Sequence, residues 1–215
     1  VSYAKNGAPF SPRLDVWRIE DMTRQFVFDF RSMRDMLTSE MMRSLQYVTV
    51  WFVENKSTPH AYNLVYHFRN LVKWLYDQRL SCIEAITDID ILNYRSSLTP
   101  KHQYYIGVVG GLLKQWSDLG LPEISGSAIK LLSELRISSN LTGRAVKTWD
   151  PHQGPFTEIE LQSLHDALND EYGRGRLTLK EYLLTCLFMS LGIRSVQMAC
   201  LKCCDFYVER SSDGI

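Results

Sequence analysis

The sequence lacks an excess of charge of either sign, a long apolar run and any low-complexity tract. Its 24 Lys and Arg residues balance 24 Asp and Glu residues, so net charge gives no overall attraction to nucleic acid or to membranes. No apolar stretch approaches the roughly 20 residues that a membrane helix needs. The first residues also lack the charged-then-apolar pattern of a secretory signal. We therefore expect a soluble, intracellular protein with no membrane partner.

The sequence also lacks the cysteine pattern of a disulfide framework or a zinc site. The five cysteines are an odd set, and Cys200 and Cys203 form a C-x-x-C without a second Cys or His pair at zinc spacing. Reduced thiols in a reducing compartment such as the cytoplasm account for this usage. We expect no metal site and no cofactor. A thiol or metal enzyme built on these two cysteines is poorly supported, because Lys202 is their only basic neighbour and no His is near.

Helical periodicity dominates what is present, and the sequence predicts a mainly α protein in four parts. Residues 1–37 form an N-terminal arm, in which Phe26, Phe28 and Phe30 alternate with a strand-like period. Residues 38–137 form a helical bundle, residues 138–150 a polar linker, and residues 151–215 a second helical part. The arm is predicted to be a short strand or a segment packed on the helical bundle.

The helix predicted at about residues 59–79 carries the first candidate binding face. Asn63, His67, Asn70 and Lys73 fall opposite its apolar stripe at steps of three and four, and Arg69 lies alongside. Such side chains offer donors to phosphates and base edges, so this face could enter a DNA groove. A solvated helix face explains the pattern equally well. The short helix predicted at residues 88–97 has Ile89, Leu92 and Tyr94 pointing inward.

The helix predicted at about residues 100–119 has a face that is unusually rich in glycine. Each glycine weakens a helix by about 1 kcal/mol relative to alanine, which is tolerable where another backbone approaches closely. That backbone belongs either to a neighbouring helix or to a DNA strand. Residues 58–147 hold ten Lys and Arg against seven Asp and Glu, a weak basic bias. The candidate DNA contacts here and in the linker are Lys101, His102, Gln103, Lys114, Arg144 and Lys147.

The stretch of residues 187–206, LFMSLGIRSVQMACLKCCDF, is the most informative part of the chain. Its leucines recur at helical spacing up to Gly192, which can end a helix with positive φ. A second helical pattern comes next, so Arg194 is predicted at a helix-to-helix corner. An arginine held there suits a bidentate clamp on a phosphate. The local pattern alone is more typical of an ordinary exposed arginine at a helix start.

The order of the motifs resembles the tyrosine recombinases, the phage-integrase family. Gly192-Ile193-Arg194, then Gln197, Leu201 and Asp205-Phe206, is similar to the family's first arginine motif, although Gln197 stands where Glu is usual. Ser57-Thr58-Pro59 followed by Tyr62, Phe68 and Trp74 resembles the SAM-like core-binding helical bundle. Phe156-Thr157-Glu158-Ile159-Glu160-Leu161 resembles the first helix of the catalytic domain. Thr157 is predicted to cap this helix, with Glu160 three residues on completing a capping box. The resemblance implies a core-binding domain followed by the truncated start of a catalytic domain.

The resemblance also implies a function. These enzymes clamp double-stranded DNA and exchange strands for DNA integration or recombination, through a 3′-phosphotyrosyl intermediate and without metal or nucleotide. Arg194 would be a catalytic arginine that stabilises charge on the phosphate. The family's lysine hairpin, H-x-x-R helix and nucleophilic tyrosine come after the region of Asp205. We therefore expect a fragment without the nucleophile, inactive in strand cleavage.

The same resemblance implies an assembly and a source. Full recombinases assemble as tetramers on paired sites, whereas this chain is expected to be a monomer in a prokaryotic or phage-encoded, cytoplasmic setting. The alternative is a non-catalytic helical module that binds another protein or DNA. Salt-dependent affinity for duplex DNA distinguishes the recombinase portion from a protein-interaction module.

Overall fold

The computed structural model describes residues 1–22, 24–136 and 143–205. The chain divides into two compact units, Val1–Thr142 and Gly143–Ile215. Both are mainly helical in their described residues, which confirms the predicted mainly α class. The predicted linker at residues 138–150 lies partly outside the described residues, and residues 143–150 belong to the second unit. Phe206, the last residue of the arginine motif, lies outside the described residues.

Two antiparallel hairpins open the first unit. Strand β1 (Ser2–Tyr3) pairs with β2 (Pro9–Phe10), and β3 (Val16–Glu20) pairs with β4 (Gln25–Asp29). In the second hairpin Trp17 lies opposite Phe28 and Ile19 opposite Phe26, and all four side chains are buried. The alternation of phenylalanines thus formed a strand, as predicted, because its apolar face packs on the helices of the same unit.

Helices make up the rest of the first unit. They are α1 (Ser39–Asn55), α2 (Thr58–Arg79), α3 (Asp88–Ser97), α4 (Tyr104–Asp118) and α5 (Gly126–Glu134). Helix α1 begins after an N-cap at Thr38, whose hydroxyl accepts from the Met41 N–H. Helix α2 packs on α1, α4 and strand β4, so it is the central element of the unit, and α3 and α4 both pack on α5.

A buried carboxylate links three parts of this bundle. Glu123, in the segment before α5, accepts a hydrogen bond from the Ser44 hydroxyl of α1 at 2.6 Å. It also accepts one from the indole N–H of Trp116 in α4 at 3.0 Å. All three residues are buried. A buried carboxylate is costly without donors, so these two bonds fix how α1, α4 and the α4–α5 connection meet.

The glycines of α4 have different surroundings. A Cβ added at Gly110 would lie 3.2 Å from a Leu132 methyl group of α5, so this glycine lets α4 and α5 approach closely. A Cβ at Gly111 would meet Leu64 at 3.9 Å, an ordinary contact. The close neighbour at Gly110 is therefore a helix side chain, which is nearer to the neighbouring-helix alternative than to a DNA strand.

The second unit contains α6 (Arg144–Lys147), α7 (Glu158–Gly173), α8 (Leu179–Leu191) and α9 (Ser195–Ala199). Capping boxes begin α7 at Thr157 and α8 at Thr178, and in each the glutamate three residues on accepts from the cap. These bonds lower the pKa of the Glu160 and Glu181 carboxyls. The capping box that the sequence predicts at Thr157 is confirmed.

Few apolar side chains are covered in the described part of the second unit, residues 143–205. Among its described residues, Leu168 and Met198 are the buried ones. Helix α7 contacts α8, yet Leu183, Leu184 and Leu191 of α8 remain between about two fifths and one half exposed. The described part of this unit thus leaves an apolar face on α8. No helix in the described parts of the chain is both long and apolar enough to cross a membrane.

Candidate nucleic-acid interface

Helix α2 presents three different surroundings to its predicted DNA-binding residues. Asn63 and Lys73 are exposed, whereas Arg69 and Asn70 are half-buried. The remaining residue, His67, is buried, with 5% of its surface exposed. The face predicted as a single polar surface is therefore divided, because strand β4 covers one flank of α2 and the start of α4 covers the other.

A surface groove brings three of the predicted residues together. It has a volume of ≈ 530 Å³ and lies between α2 and the segment after β4. Arg69 and Lys73 supply two cations, Asn70 supplies an amide, and Asp77 supplies one carboxylate. Its amide and cations can donate to phosphate oxygens. We call it the basic groove; its lining residues are Ser32, Met36, Arg69, Asn70, Lys73, Tyr76 and Asp77.

Arg69 is the best-positioned side chain of the basic groove. Its guanidinium lies 5.3 Å from the centre of the Tyr66 ring, a cation–π distance that restrains the side chain. The pKa of the nearby Asp29 carboxyl is lowered, mainly by a side-chain hydrogen bond from Arg31 and to a smaller extent by the charge of Arg69. Arg31 already pairs with Asp29 at 2.7 Å, so Arg69 keeps donors for a ligand.

Five aromatic rings gather where α2 meets the start of α4. The rings of His67 and Tyr105 are 4.2 Å apart between centroids, and those of Tyr104 and Tyr105 are 4.7 Å apart. His102 stacks on Tyr105 at 5.1 Å, and Tyr66 meets His67 edge to face at 5.3 Å. We call this group, Tyr66, His67, His102, Tyr104 and Tyr105, the aromatic cluster.

His67 corrects the sequence prediction. The sequence predicts that it faces DNA, but the rings of Tyr104 and Tyr105 pack against it and leave it buried. Its Nδ1 atom is buried and has no hydrogen-bond partner among the described residues. Burial lowers the pKa of the imidazole below its ordinary value of 6.5, so His67 is neutral at pH 7. In this conformation it cannot contact a duplex, and the prediction of an outward-facing His67 is wrong.

The candidate residues at the start of α4 lie on one short segment. Lys101 is exposed, and His102 and Gln103 are half-buried. The Nδ1 atom of His102 is 3.0 Å from the Thr99 hydroxyl, which holds its ring against Tyr105. Lys101 and the aromatic cluster therefore share one end of the bundle. Lys114 lies near the other end of α4 and is half-buried.

Arg194 lies at the corner that the sequence predicts. Helix α8 ends at Gly192, whose φ of 58° is in the left-handed region. Arg194 is the N-cap residue of α9, and its backbone N–H donates to the Gln197 side-chain oxygen at 2.9 Å. Gln197 therefore fixes the backbone of Arg194 without an ion pair. The arginine itself is exposed, so its guanidinium is accessible to a ligand.

The remaining predicted residues of the second unit are at the two ends of α6. Arg144 and Lys147 begin and end this four-residue helix, and both are exposed. The Asp150 side chain accepts from the N–H groups of His152 and Gln153 just beyond it. Both cations are thus accessible to a polyanion. The helix that carries them is short and has no buried residues, so packing does not fix their positions.

Sequence reasoning did not identify Tyr66, Tyr104 and Ser32 as part of a candidate interface. The tyrosines could have been found, because Tyr66 lies three residues before Arg69 and Tyr104-Tyr105 comes shortly after Lys101 in the sequence. Such mixing of aromatic and cationic residues is typical of nucleic-acid surfaces. Ser32 gave no signal, since it comes to α2 through the fold alone.

Metal ligation has no support in the described side chains. Among them, no three His, Cys, Asp or Glu residues are grouped so that they could hold a metal ion.

Comparison with protein-family models, with curated proteins and with solved structures found no match to this chain. We therefore infer the function of this chain from its own residues and their geometry.

Proposed function

We propose that this chain is the DNA-binding part of a site-specific tyrosine recombinase, an integrase whose parent protein cuts and rejoins DNA through a phosphotyrosyl intermediate. The observation that carries the proposal is the corner at Gly192 and Arg194. This corner contains a glycine in the left-handed conformation, an exposed arginine and a glutamine that fixes the arginine backbone. The three residues have the spacing of the family's first arginine motif.

The proposal assigns a role to each unit. Arg194 of the second unit binds a phosphate, where a preorganised cation stabilises the charge that develops during strand transfer. The first unit corresponds to the SAM-like core-binding bundle and holds double-stranded DNA. Its basic groove, with Arg69 and Lys73, binds backbone phosphates, while Lys101 does the same at the start of α4. The net charge of zero means that these local cations provide the attraction.

Salt dependence of DNA binding tests the proposal. The full chain would be titrated with a fluorescent 30-base-pair duplex of arbitrary sequence between 50 and 200 mM salt. We expect affinity to fall with salt, because each neutralised phosphate contributes about 0.9 to the slope of log K against log salt. Lys73→Ala, Lys114→Ala and Arg194→Ala should each weaken binding to all sequences about equally and reduce the slope by about 1.

Lys130→Ala is the matched control. Lys130 is an exposed lysine on α5, outside the basic groove, so this change removes the same charge from a different surface. If Lys73→Ala behaves like Lys130→Ala, the basic groove is not the DNA-binding surface. If the unsubstituted chain shows no salt-dependent affinity, the recombinase proposal fails.

A protein-interaction module is the second candidate function, and one observation favours it. Leu183, Leu184 and Leu191 lie on one side of α8 and are substantially exposed. An apolar helix face of this kind suits contact with another polypeptide. This candidate predicts negligible DNA affinity at all salt concentrations, so the salt titration separates the two functions.

A further inference from the structure

The aromatic cluster has a partly exposed surface over a buried base. Tyr66 is 43% exposed, while His102, Tyr104 and Tyr105 are half-buried. Beneath them His67 is buried and contacts Tyr66, Tyr104 and Tyr105. The four outer rings are thus held by ring-to-ring packing, and each keeps some surface exposed. Single exposed aromatic residues are common, but a group of rings that support one another forms a rigid apolar surface.

Cations border this surface. The Arg69 guanidinium lies over Tyr66, and Arg69 also lines the basic groove, so the groove and the rings meet at one side chain. Lys101 is exposed and adjoins His102 in sequence. Burial, together with a hydrogen bond that Tyr105 donates to Tyr104, raises the pKa of the Tyr105 hydroxyl, so this tyrosine is neutral at pH 7. A ligand with anionic groups and a flat apolar ring matches both features.

We infer that the aromatic cluster stacks on an unpaired base of the bound DNA while Arg69 and the basic groove hold a neighbouring phosphate. This inference rests on the proposed function. A base within a duplex has both faces covered by its neighbours, so only a base outside the stack can offer a face to Tyr66 or Tyr104. Stacking of one base on a protein ring strengthens binding by about 5- to 100-fold.

The test compares three probes with the full chain. They are a matched 30-base-pair duplex, the same duplex with four central mismatches, and one of its single strands, each measured by fluorescence anisotropy at fixed salt. We expect the mismatched duplex to bind about 5- to 100-fold more tightly than the matched one. Tyr104→Leu should remove most of this preference and leave matched-duplex affinity within about twofold. Tyr66→Leu should also remove most of the preference, but it should weaken matched-duplex binding as well, because Arg69 loses the ring that restrains it.

Tyr47→Leu is the matched control. Tyr47 is an exposed tyrosine on α1, outside the aromatic cluster, and it undergoes the same chemical change. Tyr104→Leu leaves the contact between Arg69 and Tyr66 intact, so it separates loss of stacking from loss of the cation. Circular dichroism of each variant checks that the fold is retained.

The outcomes distinguish this inference from the proposed function. Equal affinity for matched and mismatched duplexes, with normal salt dependence, overturns the stacking inference and leaves DNA binding intact. A preference that survives both cluster substitutions, or that Tyr47→Leu removes equally, also overturns it. Absence of salt-dependent binding to every probe overturns the proposed function and the inference together. Tight binding to the single strand alone, with no bound duplex, contradicts the clamp on double-stranded DNA.

Discussion

Removing the Ser44 hydroxyl should measurably destabilise the first unit. Ser44→Ala deletes the donor that lies 2.6 Å from the buried Glu123 carboxylate. A hydrogen bond to a charged group contributes about 1.5–3 kcal/mol when its loss leaves the acceptor buried. Alanine is the better helix former at this position of α1 by roughly 0.5 kcal/mol, which offsets part of the loss. We therefore expect the free energy of unfolding to fall by about 1–2.5 kcal/mol.

Urea unfolding followed by tryptophan fluorescence measures this change. Trp17, Trp51, Trp74 and Trp116 all lie in the first unit and Trp149 in the second, so the signal mainly reports the first unit. Ser39→Ala is the matched control, because Ser39 is exposed on the same helix. Its effect should stay within about 0.5 kcal/mol.

Two results would refute the reasoning about Glu123. Equal urea midpoints for Ser44→Ala and Ser39→Ala would show that the hydroxyl contributes nothing to stability. Strict additivity between Ser44→Ala and Trp116→Phe would show that the two donors do not act on one carboxylate. We expect non-additivity instead, because both side chains donate to Glu123.

Two further predictions concern His67 and Gly192. The pKa of His67 is lowered in the folded state, so the stabilising effect of this residue is fully present above pH 6.5 and is lost as pH falls toward the folded pKa. In that pH range the unfolding free energy of the wild type minus that of His67→Leu should fall by up to about 1.4 kcal/mol per pH unit. A constant difference between pH 7.5 and pH 5 would contradict this prediction. Gly192→Ala places a side chain at a φ of 58° and should cost about 1–2 kcal/mol of local stability at the α8–α9 corner, seen as faster hydrogen exchange of nearby amides. Gly173→Ala, at the end of α7 with open space around it, should not speed exchange at that corner, and equal effects of the two changes would refute the argument.

Local patterns predicted those features that depend on neighbouring residues in the sequence. The alternation of Phe26 and Phe28 gave strand β4, Thr157 and Glu160 gave a capping box, and Gly192 gave a left-handed helix end. Each is determined within a few residues by backbone geometry or by a short-range hydrogen bond. The exposed position of Arg194 results from the same local corner.

The predictions that were wrong concern features that depend on contacts between distant segments. His67 lies at the edge of the polar side of α2, and only the docking of Tyr104 and Tyr105 decides that it is buried. In α3 the prediction that Ile89 and Leu92 point inward was wrong, since Ile91 is buried while Ile89 is 63% exposed. Three apolar residues within four positions cannot share one face of a helix, and packing against α5 selects among them.

The two N-terminal hairpins both contact the helices of the first unit. The Lys5 N–H donates to the Val53 carbonyl at 2.9 Å, and the rings of Phe26 and Phe28 contact Tyr62 at 5.4 and 5.6 Å. One wall of the basic groove comes from Ser32 and its neighbours, and the other comes from α2.

The groove therefore exists only while the N-terminal segment is docked, so ligand binding and docking are thermodynamically linked. A ligand that fills the groove at a hundred times its dissociation constant would oppose undocking by about 2.7 kcal/mol. Amide protons of strands β3 and β4 would then exchange more slowly in the presence of DNA, even though these strands lie outside the helices that carry most of the cations. Hydrogen exchange in the hairpin of β3 and β4 would in this way show whether the groove is occupied.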